Sequence, residues 1–315
     1  MNQNTPLISI CTPTFNRRPF IPYMIKCFYH QTYPIHKIEW IIIDDGTDPI
    51  EDLVKDIPQV KYYYYKDKME LGKKRNLLHS KCSGDIIIYM DDDDYYPPER
   101  VSHATQMLLN NPDFLIAGSS EMYMYFNSRN KMYKCGPYGP YHATAATFAF
   151  KKELLNQTQY NESNAFAEEK EFTKNYTIPL LQLDSLKTIL VFAHKQNSLD
   201  KELLLVDPLK TSLTESIYDV DDFIKNSELK QFYMTDVNNI LENYEPGRIE
   251  NKAEILEQIK KREIKNQEIK NQNQRNITKQ FNNINEMKEY YEKQLTEKNH
   301  LINELLKRIK ELKQK

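Results

Sequence analysis

The chain has 315 residues, 40% of them hydrophobic and 11% aromatic. That excludes a wholly disordered polymer and leaves room for one or two domains with a core. A formal charge of −2 excludes a whole-chain polycation for nucleic acid or anionic membrane. The charge is uneven: residues 248–315 hold 17 Lys/Arg against 11 Asp/Glu, net +6, which leaves −8 for residues 1–247.

Residues 7–12 (LISICT) read as a strand that stops at Pro13, and residues 18–31 as a helix with Pro22 in its first turn. IEWIII at 38–43 is a continuous apolar strand of the kind buried on both faces of a parallel sheet, and it ends at Asp44-Asp45-Gly46. A short helix at 50–55, a strand at 60–65 and a helix at 73–81 follow. Residues 86–90 form the next apolar strand, which ends abruptly at Asp91-Asp92-Asp93-Asp94. A helix at 100–110 and a strand at 114–119 complete an alternation that predicts an α/β domain with a mostly parallel sheet. Ligands of such sheets bind beyond the carboxyl ends of strands, where both acidic turns lie.

Residues 121–200 are less regular: a hairpin at 122–133, strands at 143–150 and 189–194, a short helix at 152–156 and an acidic run, AEEKEF, at 167–172. Short helices are expected over 212–244, before Pro246-Gly247 breaks the chain. Beyond residue 249 there is no Pro or Gly. With a positions at Phe281, Lys288, Leu295, Ile302 and Ile309 and d positions at Ile284, Tyr291, Lys298, Leu305 and Leu312, eight of ten are apolar. The expected organisation is a domain over 1–210, a helical connection over 211–247 and a long helix over 248–315. The helix is either a solvated spacer or a coiled coil that pairs copies of the chain, with its best seam over 277–312.

No apolar run approaches the roughly 18 residues that span a bilayer, so no transmembrane segment is expected. The first residues lack the basic start and apolar stretch of a signal peptide. Cys11, Cys27, Cys82 and Cys135 form no CxxC pair and read as free thiols. The expected compartment is the cytoplasm, or the host's cytoplasm should the Asn-, Lys-, Ile- and Tyr-rich composition reflect a virus.

Three clusters could carry chemistry. Four adjacent carboxylates at 91–94 repel one another unless water or a cation compensates them. In extended backbone Asp91 and Asp93 point the same way, and hard cations such as Mg²⁺ and Mn²⁺ favour oxygen ligands. An exposed acidic turn is the alternative; the strand-end position favours a metal. Asp44-Asp45-Gly46 fits either a plain DG turn or a carboxylate that accepts hydrogen bonds from a base or ribose. Gly72-Lys73-Lys74-Arg75-Asn76 fits a solvated helix start or a diphosphate contact, and no GxxxxGK[ST] loop is present.

In order, PTFNR (13–17), IIIDDG (41–46), GKKRN (72–76), SGDIIIYMDDDD (83–94) and YYPPER (95–100) strongly resemble the family 2 glycosyltransferases of the GT-A fold, over about residues 5–200. The resemblance implies a metal-dependent, inverting transfer of a sugar from a nucleotide sugar, expected to be a UDP-sugar, to a hydroxyl of a glycan, protein or lipid, with Mn²⁺ or Mg²⁺. It implies that Pro13, Thr14 and Asn16 line the nucleotide pocket, and that Asp44 binds the base with Asp45 beside it. Lys74 and Arg75 would contact base or phosphate. Asp93 would hold the metal, Asp91 would face ribose or metal, and Asp92 takes the variable position. His194 is a further candidate metal ligand. Glu169 aligns with the family's catalytic base, although the family usually has Asp there; Glu168 and Glu171 are the alternatives. Two other readings remain: a non-catalytic nucleotide- or cation-binding head on a coiled-coil scaffold, and a nucleotidyltransferase. No nucleic-acid partner is expected.

Overall fold

The computed structural model describes residues 5–163, 169–198, 200–205, 212–280 and 284–313. Its first half follows the apolar runs. Ile8–Thr14 (β1), Ile38–Asp44 (β2), Val60–Tyr64 (β3) and Ile86–Tyr89 (β4) pair in parallel in the order β3-β2-β1-β4. Between them lie Ile21–Tyr29 (α1), Glu51–Val54 (α2) and Leu71–Lys81 (α3), and Arg100–Asn110 (α4) follows β4. All seven residues of β2 are buried. Its side chains alternate between two apolar clusters. Trp40 and Ile42 pack with Ile8, Ile10, Met24 and Phe28, while Ile41 and Ile43 pack with Cys11, Leu78 and Ile87. Phe28 of α1 stacks on Trp40 with centroids 4.6 Å apart. Each such burial contributes about 1.5–3 kcal/mol, which explains why a polar alternation is absent from this strand.

The sheet continues through short strands that the sequence scarcely marks. Ile116–Gly118 (β5) is separated from β4 by the antiparallel Ala149–Lys151 (β8), and Leu180–Gln182 (β9) closes the seven-stranded sheet beside β5. The strand expected over 143–150 is thus reduced to its end. Ala145–Thr147 forms a 3₁₀ turn instead, in keeping with the low strand preference of alanine. A second sheet joins Met122–Phe126 (β6), Lys131–Cys135 (β7), Leu190–Ala193 (β10) and Leu213–Glu215 (β11) in the order β10-β6-β7-β11. Here β6 and β7 are the expected hairpin. The acidic run yields a single turn of helix, Glu169–Phe172 (α5). Short helices Val220–Phe223, Ser227–Gln231 and Val237–Glu242 follow β11.

Two compact units result, Met1–Leu256 and Glu257–Lys315. The segment 211–247 packs within the first, with Phe223, Leu229, Phe232 and Tyr233 in its main apolar cluster. The C-terminal region is helical over Ala253–Gln280 (α6) and Ile284–Lys313 (α7). Phe281 and the side chains of Ile284 and Leu312 lie outside the described residues. Along α7 the heptad residues Tyr291, Leu295, Ile302, Leu305 and Ile309 are exposed on the single chain. No helix among the described residues is long and apolar enough to cross a membrane.

Candidate active site

Parallel register decides where the polar residues meet. Thr14 pairs with Asp44 and Cys11 with Tyr89, so β1, β2 and β4 finish on one edge of the sheet. The turns after them share that edge, as expected for the ligand side of such sheets. A cleft of about 150 Å³ opens there, and its walls include Pro13, Thr14, Arg17, Lys74, Arg75 and Asp91–Asp93. Lys68 lines it from the turn after β3, and Lys252 and Glu254 from the start of α6.

The acidic run does not splay into water. Asp92 and Asp94 are buried, while the side chains of Asp91 and Asp93 retain 23% and 15% exposure. Asp93 Oδ2 accepts from Arg17 Nη2 at 3.2 Å, His194 Nε2 at 3.2 Å and Asn197 Nδ2 at 3.4 Å. Arg17 Nε lies 3.6 Å from Asp92 Oδ1, and Arg17 Nη2 also donates to the Gln196 carbonyl at 2.8 Å. Burial, then the charge of Asp93, pushes Asp92 up to about 7, and burial pushes Asp94 up to about 8. Burial would raise Asp93 too, but Arg17 and the hydrogen bond from His194 hold it well below the usual carboxylate range. Arg17 and His194 thus favour the charged form of Asp93.

Among the described residues no three His, Cys, Asp or Glu side chains form a ready metal cage. Asp93 instead suits a site shared with a ligand. Its three hydrogen bonds all fall on Oδ2, and Asp91 lines the same cleft. One or two carboxylate oxygens with the remaining positions left to water and phosphate is how Mg²⁺ is usually held. His194 stands beside the same Oδ2. Burial lowers its imidazole to about 4 against the pull of Asp93, so it is neutral. Its Nδ1 lies 3.3 Å from the Gln196 N–H, and its Nε2 lies 3.2 Å from Asp93 Oδ2 and 2.8 Å from Asn197 Nδ2. Phe20 packs 4.9 Å from its ring.

Asp44 turns inward. Its Oδ1 accepts from the Gly46 N–H at 2.8 Å, and its Oδ2 accepts from the Ile50 N–H at 3.1 Å and the Tyr62 hydroxyl at 2.8 Å. Asn16, at φ +53°, also serves this turn: Oδ1 accepts from Asp48 N–H at 3.0 Å and Nδ2 donates to the Pro246 carbonyl at 2.9 Å. A Cβ at Gly46 would sit 2.6 Å from Asn16 Oδ1, so the turn requires glycine. Neither Asp44 nor Asn16 is among the cleft-lining residues. Asp45 stands just behind them: Oδ2 accepts from the Met69 N–H at 2.7 Å and Oδ1 pairs with Lys74, whose ammonium also donates to the Thr14 carbonyl at 3.0 Å. Arg75 lies over the Tyr89 ring at 4.4 Å and 3.7 Å from Asp91 Oδ1. Lys73, on the other face of α3, is exposed.

Glu169 opens α5 half-buried; Glu171 is exposed, and Glu168 lies outside the described residues. Lys174, Asn175 and Tyr176 follow with φ of +50°, +57° and +60°, a strained left-handed run. Tyr176 packs 4.8 Å from His142, which packs 4.9 Å from Tyr138. Burial, and then the charge of Glu169, pushes the Tyr176 phenol up to about 12.

Three cleft residues had no signal that sequence reasoning used: Arg17, Lys68 and Lys252. Arg17 stood inside a motif, but its counter-ion is 76 residues away. Lys68 pairs with Glu254 at 2.7 Å, and its ammonium stands 3.7 Å over the Phe15 ring. Burial, then neighbouring Arg17, lowers Lys252 to about 7.

The family signature Glycosyl transferase family 2 matches residues 9–167, half of the chain. The chain belongs to that family. An uncharacterized glycosyltransferase of Haemophilus influenzae is 30% identical over 113 residues, 34% of this chain and 44% of that protein. The GalNAc(5)-diNAcBac-PP-undecaprenol beta-1,3-glucosyltransferase of Campylobacter jejuni is 30% identical over 96 residues, 28% of this chain and 30% of its own length. The matches thus span less than half the length of these relatives. Among solved structures, the mannosyltransferase PcManGT of Pyrobaculum calidifontis, in complex with GDP-Man and Mn²⁺, superposes with a TM-score of 0.50 at 15% identity, over 62% of this chain and 59% of that one. The shared architecture is the GT-A fold.

Proposed function

We propose that this family 2 protein transfers a sugar from a nucleotide sugar to an acceptor hydroxyl on a glycan, protein or lipid, with inversion. The observation that carries this reading is the convergence of Asp91–Asp93 with Arg17, Lys68, Lys74, Arg75 and Lys252 on one cleft at the strand ends. Carboxylates alone would repel a diphosphate; carboxylates interleaved with cations fit a diphosphate and a divalent ion together. Asp93, with Asp91, would hold Mn²⁺ or Mg²⁺. Such an ion, when bound, offsets negative charge on a departing nucleoside diphosphate. Lys74 and Arg75 wall the base and phosphate side, and Asp44, Asp45 and Asn16 buttress that wall from behind. Glu169 takes the proton from the acceptor hydroxyl as its oxygen attacks the anomeric carbon.

The favoured donor is a UDP-sugar, and the GDP-Man of the Pyrobaculum structure makes GDP-mannose the first competitor to test. A panel of UDP-sugars and GDP-mannose with Mn²⁺ or Mg²⁺ should show release of the nucleoside diphosphate. Binding without release would mark a non-catalytic head, and release of pyrophosphate a nucleotidyltransferase; either outcome contradicts the proposal. The four free, buried cysteines suit a reducing compartment, and we place the protein in the cytoplasm.

The exposed heptad residues of α7 support self-association through a coiled coil. The chain should sediment as an oligomer, and a Leu295→Glu/Leu305→Glu variant as a monomer. A wild-type chain that is monomeric at tens of micromolar would refute the pairing.

A further inference from the structure

Beyond the residues matched by the family signature, the chain runs on to a segment over the cleft. We propose that this segment completes the donor site: Lys252 is a cationic contact for the diphosphate of the nucleotide sugar. The inference rests on the glycosyltransferase reading above and assigns a residue to it from outside 9–167.

Charge pairing singles out Lys252. Arg17 has Asp92 and Asp93, Lys68 has Glu254, Lys74 has Asp45, and Arg75 has Asp91 at 3.7 Å. Lys252 is 3% exposed, and its ammonium donates to the carbonyl of Gln196 at 3.0 Å. Among the described residues it has no carboxylate partner within ion-pair distance. A buried ammonium without a counter-ion is costly. A second anion entering the cleft removes that cost and gains a charge-assisted hydrogen bond. The cleft therefore holds its own carboxylates against cations already present and keeps one cation for a ligand.

The segment is built to hold that side chain in place. The Pro246 carbonyl is tied to Asn16, and the Tyr244 hydroxyl donates to Asp48 Oδ2 at 2.9 Å. The Lys68 ammonium donates to the Asn251 carbonyl at 3.0 Å. Gly247 passes so close to the β1 turn that a Cβ there would lie 2.9 Å from the Asn16 carbonyl and 2.0 Å from Gln196 Oε1. The carbonyl of Lys252 accepts the N–H groups of Ile255 and Leu256 at 3.0 and 3.1 Å, which fixes its backbone at the start of α6. Anchors on both sides leave Lys252 little freedom, and a preorganised donor loses little entropy when the ligand arrives.

Lys252→Met keeps the aliphatic stem and removes the charge; Lys252→Arg restores a cation. Binding of UDP and GDP, each with Mn²⁺, is measured by calorimetry, and binding of uridine and guanosine by ligand-observed NMR, on the full chain. Loss of one charged hydrogen bond should weaken the nucleoside diphosphate of the preferred base by roughly 10- to 100-fold in the Met variant. The corresponding nucleoside should bind within about twofold of wild type, and the Arg variant should recover most of the loss. The urea midpoint of Lys252→Met should be no lower than that of wild type, which a merely structural role would not allow. Unchanged diphosphate binding by Lys252→Met, or an equal loss for the nucleoside, overturns the inference while leaving the family reading in place. A wild-type protein that binds neither UDP nor GDP overturns both.

Discussion

Asp93→Asn is expected to lower turnover by about a thousandfold or more while the protein remains folded. The amide is nearly isosteric, and its oxygen can still accept from Arg17 and His194, so the buried guanidinium is not stranded without a partner. What disappears is a carboxylate whose charged form Arg17 and His194 favour. A neutral amide oxygen is a poorer ligand for a hard cation, and a loss of several kcal/mol in transition-state stabilisation corresponds to three or more powers of ten in rate. Asp93→Ala is the harsher change, because it leaves Arg17 buried beside Asp92 alone and should also destabilise the fold. Nucleotide release measured for Asp93→Asn, beside its urea midpoint, separates the two effects. Turnover within tenfold of wild type would remove Asp93 from the site.

Glu169→Gln should reduce kcat by about 10²- to 10⁴-fold, the usual contribution of a positioned base, with donor affinity within about threefold of wild type. The split follows from position. Glu169 belongs to α5 and the Tyr176 turn, whereas the cleft residues belong to the end of β1, the turns after β1, β3, β4 and β10, the start of α3 and the start of α6. Glutamate is one methylene longer than the aspartate usual in the family. The left-handed run Lys174–Tyr176 gives the local backbone a shape that an ordinary helix end lacks. Glu171→Gln, on the exposed side of the same turn, should leave kcat nearly unchanged. Full activity in Glu169→Gln with loss in Glu171→Gln would move the base by two residues.

The parts of this molecule that were legible in its sequence are those governed by local pattern. Continuous apolar runs announced β2 and β4, because a strand covered on both faces needs no polar alternation. The run of four aspartates marked the strand end where the cleft opens, because such crowding has few inexpensive explanations. Strands of three residues, such as β8 and β9, carry too little pattern to be seen, and they exist because neighbouring strands offer open hydrogen-bonding edges. The same limit governs the side chains. Asp44 and Asn16 sit in motifs that point to a nucleotide, yet their polar atoms are occupied by the turn that shapes the pocket. Lys252 carries no local mark at all, and Arg17 stands in a motif that does not announce its partner; Lys252 gains its place only when residues 244–256 close over turns 183 to 230 positions earlier. His194 could be picked out as a lone histidine after a strand, but its neighbours, Asp93 about a hundred positions earlier and Asn197 three later, are set by the fold.

The claim on which the account turns is that Asp93 and Asp91 grip a divalent ion together with a nucleoside diphosphate. Crystals soaked with MnCl₂ and UDP, or GDP should the panel favour it, and measured at the manganese absorption edge test it directly. The account predicts one anomalous peak within bonding distance of Asp93, with phosphate oxygens completing its shell and the ammonium of Lys252 against the diphosphate. Nucleotide bound elsewhere, or bound in the cleft with no manganese at either aspartate, would contradict it.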